Sequence, residues 1–149
     1  MKEYPDEIMG KLKGQFDRFP FLLKFLDCKE VLSVQVHPSD DQTKYIPQGD
    51  TGKTEAWVVL ETVQNSQIYV RLTPGTNERN LRKALQDNYV DQGLHSFIPK
   101  PSDGIFIHSG TVHTLRRAVV FEVQENSDVT FRLYDWERVD DKRGKHRDL

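Results

Sequence analysis

Two polar side chains share one face of an otherwise aliphatic strand. In Val31-Leu32-Ser33-Val34-Gln35-Val36-His37 the alternation puts Leu32, Val34 and Val36 on one face and Ser33, Gln35 and His37 on the other. Residues two apart on a strand leave the same face about 7 Å apart, which is chelate spacing. Two further donors stand beside glycine turns: Glu55 in Gly52-Lys53-Thr54-Glu55, and His113 in Ser109-Gly110-Thr111-Val112-His113. Two imidazoles, a carboxylate and an amide oxygen suit a borderline divalent ion such as zinc, with coordination positions left for water or substrate. The competing reading is four ordinary buried polar residues, each satisfied by the backbone, and spacing leaves that reading open.

The elements that must position these residues are mostly strands. Pro5 can open a helix over residues 5–17, with Ile8, Leu12 and Phe16 as its apolar stripe. FPFLLKFLD, residues 19–27, reads as a buried strand. After Pro38 a polar loop runs to Gly52, followed by a strand over 53–61, a turn at Gln64–Ser66 and a strand QIYVRL. NERNLRKALQDNYV reads as a helix with Leu81, Ala84 and Leu85 on one side. HSFIPK, GIFIHSG, TLRRAVVFEVQE and VTFRLYDWERV then read as strands, the last two separated by a turn at Asn126–Asp128. Short strands with turn signals between them, and only two helices, imply a mainly β fold, an antiparallel barrel or jelly roll.

Composition restricts the function classes. The length of 149 residues suits one domain, expected over 1–149 with a polar tail at 141–149. A net charge of -2, with Lys and Arg scattered among the acids, favours neither nucleic acid nor a membrane surface. The single cysteine, Cys28, excludes an internal disulfide and reads as a small buried hydrophobe. No apolar run reaches membrane-spanning length and the first residues are too polar for a signal peptide, so a cytoplasmic protein is expected.

Four blocks in this order, VQVHPSD, GKTEAW, SGTVHTL and QENSDVTFRLYDWERVD, closely resemble the type I mannose-6-phosphate isomerases, which are cupins. The resemblance covers residues 19 to about 147, the catalytic cupin domain of that family. It implies a cupin-type barrel, one zinc held by Gln35, His37, Glu55 and His113, and interconversion of mannose 6-phosphate and fructose 6-phosphate. It further implies a catalytic role for Arg132, a phosphate contact for Ser33 and a site-lining role for Lys53. The chain departs from the family at Pro101-Ser102-Asp103, where a Pro-Gly-Asp turn is usual, and at His108, where proline is common. Members usually also carry a strand-bearing stretch before the position of residue 1 and a second, smaller cupin domain after that of residue 149. The alternative function is therefore an incomplete or non-catalytic zinc cupin that binds a sugar phosphate.

The implied chemistry makes definite demands. Aldose–ketose isomerisation passes through an enediol, and a divalent cation facing the oxygens lowers that barrier without redox change. Arg132 would add a fixed fork of donors, whereas by alternation alone it could be an exposed strand cation. The general base is left open among Lys53, Glu55, His95 and a metal-bound water, with Lys53 eligible if burial lowers its pKa. His108, sharing a face with Phe106, reads as structural, His95 as a rim residue, and His146 as solvated; Trp57 and Trp136 read as core. The resemblance implies a sugar phosphate as the small-molecule partner, and oligomeric state is left open.

Overall fold

The computed structural model describes residues 3–16, 18–140 and 145–146, the side chains of 140, 145 and 146 excepted. The described chain comprises α1 (Pro5–Met9), β1 (Phe21–Asp27), β2 (Val34–Val36), β3 (Glu55–Leu72), α2 (Glu78–Gln86), β4 (Leu94–Phe97), β5 (Gly104–Ile107), β6 (His113–Glu125), β7 (Phe131–Tyr134), β8 (Val139–Asp140) and β9 (Lys145–His146). All strand pairing is antiparallel. The main sheet runs β4-β3-β6-β2-β7, with β1 paired to β6 and β5 to β3, while β8 and β9 form a separate two-stranded ribbon. This mostly antiparallel sheet with two short helices is the mainly β fold expected from strand count. No helix among the described residues is long and apolar enough to cross a membrane.

Two long strands form the spine. The turn expected at Gln64–Ser66 is a bend inside one strand: β3 continues through it, with its register on β6 shifting between Val59 and Glu61 and between Thr62 and Gln67. Asn65 takes a positive φ of 66° there, and Ser66 Oγ accepts from Val63 N at 2.8 Å, so local bonds replace the interrupted ladder. Trp57, Val59, Ile68, Ile107, Leu115 and Val120 fill one core cluster together with Cys28. Burial, then the negative charges of Asp27 and Glu122, push the Cys28 thiol up to about 11. A second cluster gathers Val34, Tyr69, Val90, Leu94 and Val112 under α2, which contributes Leu81 and Leu85. Asn77 caps α2 by accepting from Asn80 N at 2.9 Å.

Three sequence expectations are corrected. The first helix is five residues, not thirteen: Gly10 ends it with φ 53°, a 3-10 turn follows over Gly10–Leu12, and Ile8, Leu12 and Phe16 are exposed while Met9 is buried. The strand expected to be buried over 19–27 is half-buried on one face only. Its other face, carrying Phe21, Leu23 and Phe25, is open. The strand expected over 31–37 is regular only at Val34–Val36, with Val31 held by an isolated bridge to Arg116. Of the polar tail, Lys145–His146 pairs with Val139–Asp140, and the remainder lies outside the described residues.

Candidate metal centre

The register of the sheet brings together donors that lie far apart in sequence. Gln35 on β2 stands opposite His113, the first residue of β6, and Arg132 on β7 stands opposite Gln35 from the other side. Glu55, the first residue of β3, pairs with Gln124 on β6 and Ile107 on β5. Together these pairings converge His37, Glu55 and His113, whose ligand atoms all lie within 4.8 Å of one another and whose side chains are all buried.

The loop between His37 and Glu55 is closed by backbone contact. Lys53 N donates to Pro38 O at 3.0 Å, and Gly52 N donates to Asp40 Oδ1 at 2.7 Å. Gly52 is pressed so closely here that a Cβ would lie 2.7 Å from Asp40 N and 2.8 Å from Pro38 O. The third ligand's loop joins the same segment, Gly110 N donating to His37 O at 2.7 Å. Asp50 tethers the loop from outside, accepting from Arg18, from Thr51 N and from Asp128 N. The positions of all three ligands thus depend on backbone contacts with residues 37–40.

The protonation pattern favours a cation at the centre. His37 Nδ1 lies 3.0 Å from Val129 O and His113 Nδ1 lies 2.8 Å from Thr111 O. A carbonyl can only accept, so each Nδ1 carries a proton, and in the neutral ring each Nε2 presents a lone pair. Those Nε2 atoms lie 3.1 Å and 3.4 Å from the two carboxylate oxygens of Glu55. Burial lowers the pKa of His37, outweighing the attraction of Glu55, and so favours its neutral form. Lone pairs facing a carboxylate repel unless a positive charge sits between them. His37 Nε2 and Glu55 Oε2 are, consistently, buried without a hydrogen-bond partner among the described residues. The carboxamide of Gln35 reaches the same point, Nε2 lying 3.2 Å from His113 Nε2; exchanging its amide N and O turns the oxygen toward the cluster. The donor set therefore fits a divalent metal.

Around the donors lie cations and hydroxyls. Lys53 is buried rather than solvated, with Nζ 3.4 Å from Glu55 Oε1 and donating to Thr130 Oγ1 at 3.2 Å. Burial lowers its pKa, an effect that Glu55 opposes and Lys24 reinforces. Ser33 is half-buried just before β2, and Arg132 is exposed. Arg132 also borders an open cavity of about 770 Å³ with His37, Tyr45, Thr130 and Phe131. His95 is exposed on β4, and His108 is exposed with its ring 4.6 Å from that of Phe106; neither belongs to the cluster. Trp57 is core, its ring 5.6 Å edge-on to His113, while Trp136 is half-buried and donates to Leu32 O at 2.6 Å.

Sequence reasoning missed a polar group on the same inner face. Lys24 on β1 pairs with Glu122 at 3.2 Å and donates to Gln124, and Trp57 Nε1 donates to Glu122 Oε2 at 2.9 Å. Glu122 and Gln124 are both buried. The signal that finds them is parity: Glu122 and Gln124 alternate in step with Val120, a buried residue, and therefore point into the molecule.

The model of the family "phosphomannose isomerase type I, catalytic domain" matches residues 1–91. Mannose-6-phosphate isomerase ManA of Bacillus subtilis is 38% identical over 148 residues, which are 99% of this chain and 46% of ManA. The crystal structure of the mannose 6-phosphate isomerase from Bacillus subtilis superposes with a TM-score of 0.86 at 36% identity, over 99% of this chain and 46% of that one. A mannose 6-phosphate isomerase crystallised with zinc and yttrium shares the fold at a TM-score of 0.58 and 16% identity, over 83% of this chain and 52% of that one. The chain spans about half the length of the curated relatives it matches.

Proposed function

The chain belongs to the type I phosphomannose isomerase family, and from that premise we propose that it supplies the metal-holding catalytic domain of an isomerase for mannose 6-phosphate and fructose 6-phosphate. The observation that carries this reading is the convergence of two Nε2 atoms and one buried carboxylate on a point where no hydrogen bond among the described residues satisfies His37 Nε2 or Glu55 Oε2.

His37, Glu55 and His113, completed by Gln35, would hold the ion, and the N, N, O, O donor set supports zinc. When bound, a zinc ion supplies Lewis acidity toward the sugar's carbonyl and hydroxyl oxygens. The Nδ1 bonds to Val129 O and Thr111 O fix both imidazoles in the ligating tautomer. Lys53 is the group we assign to move the proton between C2 and C1 of the sugar, because its Nζ lies 3.4 Å from Glu55 Oε1 beside the donor cluster and burial lowers its pKa. Arg132, exposed beside Gln35 and permanently charged, would face the oxygens that gain negative charge in the enediol. Ser33 would take the phosphate.

A coupled assay tests the proposal. The purified chain, loaded with zinc, is expected to convert mannose 6-phosphate to fructose 6-phosphate, with the rate lost in a Glu55→Ala variant. Turnover no greater than that of the variant would refute the assignment for this chain.

A further inference from the structure

His37 directly follows β2 and Glu55 opens β3, yet these two strands share no ladder among the described residues. The segment that leads from β6 into β7, residues 124–130, holds both. Val129 O accepts from His37 Nδ1 at 3.0 Å, and Thr130 Oγ1 accepts from Lys53 Nζ at 3.2 Å. Glu125 grips Thr54, the residue between Lys53 and Glu55, by both of its backbone groups. Thr54 N donates to Glu125 Oε2 at 2.7 Å, and Glu125 N donates to Thr54 O at 3.0 Å. Ser127 holds the same loop at Thr51, its Oγ donating to Thr51 O at 2.7 Å and accepting from Val129 N at 3.3 Å. One hydroxyl thus joins the loop that delivers Glu55 to the residue whose carbonyl orients His37.

The segment is itself fixed from within. Gln124 is buried, and its carboxamide donates to Glu125 O and to Ser127 O, both at 3.0 Å, while Lys24 donates to its oxygen. Ser127 N closes the turn on Glu125 O at 2.7 Å. Asn126 ties the turn in the other direction, Nδ2 donating to Phe19 O at 2.9 Å. Ser127 is buried, so removing its hydroxyl takes a partner from both Thr51 O and Val129 N, a loss that the loop relieves only by moving. What Glu125 supplies is an acceptor in place for Thr54 N, which a glutamine of the same length also offers.

We propose that this turn is a second scaffold of the metal centre, with Ser127 and Glu125 as positioning residues that set the Glu55 loop against His37. The proposal rests on the reading that His37, Glu55 and His113 hold a metal, and it names residues outside the donor set that determine how tightly they do so. Both residues act through Thr51, Thr54 and Val129, as supporting contacts that orient ligands do at other metal sites.

Titration of the purified chain with zinc, in competition with a metal-sensitive chelating dye, tests it. Ser127→Ala and Glu125→Ala are each expected to weaken zinc binding by about 10–100-fold. Glu125→Gln is expected to restore wild-type affinity. Asn126→Ala removes a bond of the same turn that points to Phe19 instead of the loop, and is expected to lower the Tm of the metal-free chain while zinc affinity stays at the wild-type value. That contrast separates positioning from stability, since a turn that served folding alone would leave zinc affinity equal in all of these variants. Should Ser127→Ala not fold, as far-ultraviolet circular dichroism would show, the variants of the half-buried Glu125 carry the test. A wild-type chain that binds zinc, with Ser127→Ala and Glu125→Ala at the same affinity, overturns this proposal and leaves the metal centre standing. An equal loss in Asn126→Ala overturns it too, as does a Glu125→Gln no tighter than Glu125→Ala. A wild-type chain that binds no zinc overturns the metal centre and the proposal together.

Discussion

At the scale of single residues, the centre rests on what each donor can and cannot do with a proton. The backbone carbonyls of Val129 and Thr111 accept from Nδ1 of His37 and His113, so that in the neutral rings the Nε2 lone pairs point toward Glu55. Arg132 stands apart from this cluster: it is exposed, and no ligand atom depends on it. Its contribution belongs to the transition state. Arg132→Ala is therefore expected to lower kcat by about 10²–10³-fold while the chain keeps its metal, as steady-state kinetics and metal analysis of the same preparation would show. Arg132→Lys keeps the charge but loses the two-pronged geometry, and should recover only part of that rate. Loss of metal in either variant would place Arg132 in the wrong role.

At the scale of elements, the donors depend on contacts that no local pattern encodes. Gln35 and His37 are legible in sequence because a strand has period two. Glu55 and His113 are not, since each is the lone donor of its own strand. Their meeting depends on the pairing of β2 with β6 and on closure of a loop of fourteen residues, 38–51. The four matched blocks recover them because a resemblance carries tertiary information that alternation lacks. Gly52 shows the closure at its tightest. Gly52→Ala would set a methyl group against the backbone of Pro38–Asp40, so His37 and Glu55 must move apart. Metal affinity is expected to fall by about 10–100-fold, the range seen when supporting contacts of a metal site are lost. Gly104→Ala, where a Cβ meets nothing within 4 Å, is the matched control and should leave affinity unchanged. Competition titration with a metal-sensitive chelating dye measures both. Length was the other failure: the stripe Ile8, Leu12, Phe16 has helical spacing, but Gly10 interrupts the segment and no core lies beneath it.

At the scale of the whole molecule, the metal centre and the fold share their support. Glu55, Trp57 and Val59 alternate along one face of β3, so the strand that carries the carboxylate also carries the core. Metal binding should therefore stabilise the chain as a unit. At free zinc about 100-fold above Kd the gain is about 2.7 kcal/mol. For a chain of this length that raises Tm by roughly 5–10 °C. Differential scanning fluorimetry before and after chelation reads the shift, and an unchanged Tm would mean that the cluster holds no ion. The fold class was legible from strand count and turn spacing. The apolar outer face was not: FPFLLKFLD reads as buried on both sides, and only the structure shows Phe21, Leu23 and Phe25 uncovered.

The reading of this chain turns on whether His37, Glu55 and His113 hold a metal. Elemental mass spectrometry of the purified chain after zinc loading and removal of free metal decides it. One zinc per chain is expected, falling to near zero in Glu55→Ala while that variant keeps its far-ultraviolet circular dichroism. A wild-type chain without bound metal, or a Glu55→Ala variant that keeps a full equivalent, would contradict the assignment.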